Sequence, residues 1–214
     1  MPVQKTFLVF GGTGATGRHF VSQALEQGHR VRALARNTAK LPAHNNLEAH
    51  TGSVTEIAGL DSLLDGVDNV VAMLGDVEAQ KTRRINTEFV KVLIPAMRRT
   101  GVNRFLYQAG GLSAAPGRKL SPELWVIRST IARSFIGQHR DNEAVMQYLV
   151  DEAMDIEWMV HRAGIGGDGS TKGLLLRSET RYSVATFRDV AAYNHRILDE
   201  ESAIHTSEFS SYQK

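Results

Sequence analysis

Apolar and polar positions along this chain fall into blocks whose period switches repeatedly between strand-like and helix-like. Lys5 to Phe10 is a short apolar run rich in Phe and Val, and it predicts a buried strand. Ala15 to Gln27 then places Phe20, Val21, Ala24 and Leu25 at helical spacing, with Gly28 where a helix would stop. Arg30 to Ala35 predicts a second strand and Leu47 to His50 a weak third. Thr55 to Leu64 predicts a short helix, with Thr55 as its N-cap and Asp65-Gly66 as its stop. Asn69 to Leu74 is a strongly apolar fourth strand. Thr82 to Arg99 is a long helix, with a kink expected at Pro95 and an end at Gly101. Asn103 to Gln108 is the fifth strand. Beyond Gly110 the pattern loosens. Glu123 to Val150 reads as mainly helical with a break near Gly137, and Ile156 to His161 as a sixth strand. "RAGIGGDGSTKG" reads as a flexible loop, and Arg188 to Leu198 as the last helix.

Strand and helix alternate from the start. This predicts an α/β fold, a doubly wound parallel sheet with helices on both faces. Right-handed crossovers then bring the turn after the first strand to the carboxyl edge of the sheet, where ligands bind in such folds. The 214 residues, 42% of them hydrophobic, suit one domain over 1–214 with a full core, the substrate-side region lying mainly in 110–180. No internal repeat or linker interrupts it.

Composition narrows the chemistry. The 25 basic and 23 acidic residues are dispersed, so no basic patch points to nucleic acid. The absence of cysteine removes disulfides, thiolate catalysis and cysteine metal sites. The histidines show no metal-ligand spacing, so no metal is expected. No apolar run approaches the roughly 20 residues that span a bilayer, and the N-terminus lacks a signal-peptide layout. A cytoplasmic protein with no membrane partner is the expectation, its oligomeric state left open.

The stretch "FLVFGGTGATGRHF" carries the most specific signal. Gly11, Gly14 and Gly17 form G-x-x-G-x-x-G between a strand and a helix. Glycines there permit a tight turn, close approach of backbone to a pyrophosphate, and close helix–sheet packing. The following helix N-terminus offers free N–H groups and a partial positive charge. Thr13 and Thr16 add hydroxyls. At the end of the second strand, "RVRALARNTAK", the acidic residue that would bind a ribose 2′-OH is missing. Arg36 stands there instead and can fork a 2′-phosphate, which favours NADP(H) over NAD(H).

Taken together, "FLVFGGTGATGRHF", "VRALARN", "RFLYQAGG" and "EWMVHRAG" resemble the atypical short-chain dehydrogenase/reductases. Within them the match is to the small NAD(P)H-binding group that includes NmrA-like proteins and the biliverdin reductase B/flavin reductase type. The resemblance runs from Lys5 to the helix after Arg188. It implies a Rossmann-like fold, NADP preference, and a small substrate pocket above the nicotinamide. Arg36 falls on the family's 2′-phosphate arginine. Ser53, followed by Val54, falls where the family has the aspartate of a "GD" pair beside adenine; "TGSV" departs from that pattern. Leu74 and Gly75 fall on the loop passing the ribose and phosphates. "EWMVHRAG" falls on the family's "DWTIVRPG" strand, with Ala163 in place of proline. Ala109 and Gly110 occupy the serine positions of the family's "YVSS". The candidate cofactor-binding set is therefore Gly11, Thr13, Gly14, Ala15, Thr16, Gly17, Arg36, Ser53, Val54, Leu74, Gly75, Ala109 and Gly110.

The tyrosine–lysine pair Y-x-x-x-K is absent. The fourth residue after Tyr107 is Gly111 and after Tyr148 is Glu152, and neither Tyr182 nor Tyr193 has a lysine at that spacing. Reducing a simple ketone makes an alkoxide that needs such a positioned acid. Flavins, quinones and other conjugated acceptors spread the incoming charge, and solvent can protonate the product. A reductase acting on a small planar acceptor is the leading expectation. The alternative is an NADP(H)-binding redox sensor that does not turn the cofactor over. Ser113 and His161 are the candidates for assisting chemistry, against readings as a loop hydroxyl and a structural histidine. Arg162 shares the strand end with His161. His139 and Glu143, four apart, share a helix face and either line the pocket or form a solvated pair. Trp125, Trp158 and Phe135 are expected in the core.

Overall fold

The computed structural model describes residues 3–213. Among the described residues, ten strands and six α-helices follow one another. In the first half these are β1 (Thr6–Phe10), α1 (Ala15–Glu26), β2 (Arg30–Ala35), β3 (Leu47–Thr51), α2 (Leu60–Leu64), β4 (Asn69–Ala72), α3 (Ile85–Thr100) and β5 (Arg104–Gly110). In the second half they are α4 (Pro122–Ser129), α5 (Ile136–Glu152), β6 (Glu157–Ala163), β7 (Ile165–Gly167), β8 (Leu175–Ser178), β9 (Ala185–Thr186), α6 (Phe187–Ile197) and β10 (Ser207–Tyr212). Eight strands form one sheet in the order β3-β2-β1-β4-β5-β6-β10-β8, parallel except for the last pairing. β7 and β9 pair separately.

Side chains alternate across the sheet, as strand geometry requires. Leu8 and Phe10 of β1 pack toward α2, α3 and α5, together with Val70, Phe105, Trp158 and the α3 residues Phe89, Leu93 and Met97. Phe7 and Val9 pack on the other face with Phe20 and Val21 of α1 and Val190 and Ile197 of α6. Both faces are thus covered, which is why the parallel strands read as unbroken apolar runs. The strand order reverses between β1 and β4, so the crevice beyond their carboxyl ends is the topological switch point.

Several expectations are corrected. The helix expected over Thr55 to Leu64 forms only at Leu60–Leu64; Gly59, at φ 71°, occupies the left-handed region just before it. Thr55 caps nothing there; its hydroxyl pairs with Ser53 Oγ at 2.9 Å. The helix α3 continues through Pro95. The break in the Glu123–Val150 stretch falls at 130–135, after α4, whose Ser121 cap accepts from Leu124 N–H. Gly137 lies inside the first turn of α5, where a Cβ would collide with the Gln80 carbonyl. That glycine serves close packing of helix on loop. Trp158 is buried at 1% exposure, but Trp125 and Phe135 are 61% and 41% exposed. Part of the glycine-rich stretch after Ala163 is ordered as β7, and β8 and β10 extend the sheet beyond the six expected strands.

Candidate functional site

The turn between β1 and α1 is shaped by contacts only glycine allows. Gly11 has φ 85°, and a Cβ on it would collide with the Met73 carbonyl at the end of β4. A Cβ on Gly17 would collide with the Gly11 carbonyl. Gly14 differs: its nearest obstruction is the Gly11 carbonyl oxygen at 3.1 Å, and it opens onto a cleft. Gly14 is the N-cap of α1, with no side chain capping the first turn and no acidic residue in it. The helix therefore begins with uncapped N–H groups and positive dipole end beside the cleft.

That cleft encloses about 380 Å³. It brings together Gly11, Thr13, Gly14, Arg36, Ser53, Val54, Leu74 and Gly75 from the ends of β1, β2, β3 and β4. The sequence reading missed Asp76, Arg83 and Asn86, which also line it. Their only sequence signal is position, just beyond an apolar strand and at the start of the next helix. Arg36 Nη1 lies 3.5 Å from Asp76 Oδ2, at the rim. Asp76 is itself fixed: its Oδ1 accepts from Ala79 N–H, and its N–H donates to Gln80 Oε1, both at 3.1 Å. Gln80 Nε2 donates onward to Asp141 Oδ2 at 2.8 Å.

Asp141 is fully buried and its carboxylate accepts from four donors. Besides Gln80, these are Asn86 N–H (2.9 Å), Thr87 N–H (3.0 Å) and Thr87 Oγ1–H (2.7 Å). The two amides belong to the first turn of α3, whose own N-cap Arg84 supplies no side-chain bond. Asp141 thus caps α3 from a different helix, and the helix dipole favours its charge.

The remaining candidates lie outside the cleft. Ala15, Thr16 and Gly17 form the first turn of α1, and the Thr16 hydroxyl accepts from Gln108 Nε2 at 3.4 Å. Ala109 is buried in β5. Gly110 ends that strand, with the His139 ring 3.9 Å from where its Cβ would be. Ser113 is buried; its hydroxyl accepts from Asn142 Nδ2 and its carbonyl from Arg162 Nε. Arg162 is held beneath the surface over the Phe209 ring, so burial lowers its pKa to about 10. Of the two readings of His161, the geometry favours the structural one. Its ring nitrogens bond Asn194 Oδ1 (2.7 Å) and Ser210 Oγ (2.8 Å), and burial lowers its pKa to about 4. Asn194 continues through Gln108 to Thr16, making a polar chain under α6.

His139 and Glu143 are no solvated pair. Glu143 binds Arg128 through both oxygens and accepts from Ala114 N–H, tying α4, α5 and the loop after β5 together. His139 is buried with both ring nitrogens unpartnered, and burial, then the Arg128 charge, lower its pKa to about 4. Tyr107 is equally unavailable as an acid. Its hydroxyl donates to Asn142 Oδ1 (2.6 Å) and accepts from Asn86 Nδ2 (2.8 Å), and burial pushes its pKa far up.

A family model described as NAD(P)H-binding matches residues 11–201. The chain is 29% identical over 152 residues to a 3 beta-hydroxysteroid dehydrogenase/Delta 5-->4-isomerase of Mycobacterium tuberculosis, covering 60% of this chain and 41% of that protein. It is 30% identical over 104 residues to the photosystem II assembly factor Ycf39 of Synechocystis, covering 47% and 32%. It spans less than half the length of these curated relatives. Its fold is shared by an oxidoreductase from Lactococcus lactis, with TM-score 0.77 at 16% identity over 98% of this chain and 91% of that one. It is shared too by a wide-type short-chain dehydrogenase/reductase of Veillonella parvula solved with NADP, with TM-score 0.74 at 15% identity over 98% and 95%. A glycine turn opening on the switch-point cleft, an uncapped helix start and a match to the family model over most of the length agree: this chain belongs to the NAD(P)H-binding family and has a Rossmann-like fold.

Proposed function

We propose that this chain is an NADPH-dependent reductase that passes hydride to a flavin, quinone or similar conjugated acceptor. The observation that carries the reading is the carboxyl end of β5. It ends in Ala109 and Gly110, and its Tyr107 hydroxyl is locked between two asparagines. A simple ketone leaves an alkoxide to protonate, and this edge supplies no such acid. The alcohol oxidation named for the mycobacterial relative meets the same obstacle. A conjugated acceptor delocalises the charge and takes its proton from water, so binding and orientation suffice.

When bound, the cofactor supplies the hydride. The chain's own part is to hold it. Gly14 leaves room for the pyrophosphate, and the first-turn N–H groups of α1 meet its charge. Arg36 forks the 2′-phosphate in place of the carboxylate that would select NAD. The Arg36 guanidinium lies at the rim, 3.5 Å from Asp76 Oδ2.

The test is NADPH absorbance followed with added flavins and quinones, beside direct cofactor titration. Arg36→Ala should weaken NADPH roughly 10–100-fold and NADH little, the loss of one charge-assisted fork. Equal loss for both removes the 2′-phosphate assignment. The similarity to an assembly factor favours a second reading, a cofactor-binding protein without turnover. Tight NADPH binding with no oxidation by any acceptor would support that reading and end the reductase one.

A further inference from the structure

A second pocket, of about 700 Å³, opens between α4 and the start of α5. Of its ten lining residues four are basic (Arg118, Lys119, Arg128 and Arg140) and none is acidic. Arg128 is committed to Glu143 and the Leu112 carbonyl. Arg118 reaches Glu179 at 3.4 Å between two well-exposed side chains, an arrangement that is worth little. Among the described residues Lys119 and Arg140 form no ion pair, so two cations face the pocket uncompensated.

The pocket also holds an aromatic surface. Trp125 lines it while leaving most of its indole in water, in a chain whose other tryptophan is buried. Leu120, Pro122 and Ile136 add apolar wall. An exposed indole in a pocket whose charged lining is entirely basic is the chemistry that recognises a flat ring carrying negative charge.

The pocket's position connects it to β5. Ala114 lines it and closes the loop that leaves Gly110, and the Ala114 N–H is held by Glu143 at 2.8 Å. One turn earlier on α5, His139 lies beside Gly110. The pocket is therefore on the carboxyl side of the sheet, behind the same Arg128–Glu143 pair that fixes the end of β5.

We propose that this pocket binds an anionic, planar aromatic molecule, with the ring against Trp125 and its phosphate, sulfonate or carboxylate between Lys119 and Arg140. As the hydride acceptor's own site it rests on the reductase reading. That reading then narrows from conjugated acceptors in general to those carrying a negative group.

The test uses matched rings that differ in charge: FMN against riboflavin, and 1,2-naphthoquinone-4-sulfonate against unsubstituted 1,2-naphthoquinone. Each is titrated into the whole chain with NADP⁺ present, reading quench of tryptophan fluorescence. The charged member of each pair should bind about 10-fold tighter at low salt, an advantage that shrinks as salt rises. The Lys119→Gln/Arg140→Gln double variant should cut the advantage to about 2-fold and leave the neutral ring's affinity alone. Trp125→Leu should weaken both members and remove most of the quench. Equal binding of charged and neutral rings, or a preference that survives the double variant, overturns the proposal. So does a dimer in sedimentation that shields Trp125 from acrylamide, since a second copy then covers the pocket. The two readings fail separately. Charge-selective binding without NADPH oxidation ends the reductase reading and keeps the site, and oxidation with equal KM for both members does the reverse.

Discussion

Replacing Asp141 with alanine tests the buried network that joins the two sides of the cleft. The carboxylate satisfies Gln80 Nε2, the Asn86 and Thr87 amides, and the Thr87 hydroxyl. In Asp141→Ala the Thr87 hydroxyl keeps the residue 141 carbonyl, 3.2 Å away. The other three donors lose this acceptor inside the protein. A buried donor left without its partner costs about 1–3 kcal/mol, and loss of the carboxylate's own desolvation penalty offsets part of the sum. A net loss of about 3 kcal/mol follows, or a Tm lower by roughly 6–12 °C for a chain of this length. Asp141→Asn keeps one acceptor oxygen but turns an NH₂ toward N–H donors, so about 2 kcal/mol is expected. Urea unfolding gives both values. NADPH titration gives a second readout, because Gln80 also holds the Asp76 loop at the rim. Loss below about 1 kcal/mol in Asp141→Ala would refute the capping argument, since one unmet helix donor alone should exceed it.

The remaining predictions concern acid stability and the glycine turn. His139 and His161 protonate near pH 4 in the fold, held down chiefly by burial, against about 6.5 when unfolded. Between these values the unfolded chain binds more protons, so stability present at pH 7 is lost as pH falls. Each should cost about 2 kcal/mol between pH 7 and pH 5, and His195, also near 4, adds to the slope. Urea midpoints that stay level over that range would contradict the assignment. In the turn, Gly17→Ala should lower the Tm because its Cβ strikes the Gly11 carbonyl. Gly14→Ala should lower the Tm less and weaken NADPH, because its Cβ meets the Gly11 carbonyl oxygen at 3.1 Å, a milder contact, on a residue that lines the cleft; variants that behave alike would remove that distinction.

What was legible in the sequence follows from how each segment is buried. β1, β4 and β5 are covered on both faces, so they appear as apolar runs with clear ends. The turn at Gly11 to Gly17 was legible because glycine is demanded there by contacts with backbone, and backbone is the same in any sequence. β10, "SEFSSY", was not, since it buries only Phe209 and Ser210 and joins the sheet through β6 from 44 residues along the chain. Trp125 and Phe135 misled because hydrophobicity states a preference for burial, and neighbours decide whether it is met. His161 was left open for a different reason. It does lie on β6, which runs on to Ala163, but its partners Asn194 and Ser210 arrive from α6 and β10, which no local pattern connects to it. Asp141 gave no signal at all, because an acidic residue within a helical stretch reads as a solvated face.

The first turns of α5 explain why the candidate site is rigid and yet poor in proton donors. Successive residues of a helix point 100° apart, so a short stretch addresses every direction. Gly137 packs on the Gln80 carbonyl, Gln138 lies over Gly75, His139 sits beside Gly110, and Arg140 faces the second pocket. Asp141 caps α3, and Asn142 takes the Tyr107 hydroxyl. Six consecutive residues thereby address the cleft, the end of β5 and the pocket. The cost is chemical. Tyr107 has its proton engaged by Asn142, and His139, with its pKa held near 4, carries no acidic proton at neutral pH. A helix built this way fixes its surroundings but offers neither of these groups as a proton donor. On the proposed reductase reading, that division of labour is the reason an acceptor protonated by solvent is the one we propose.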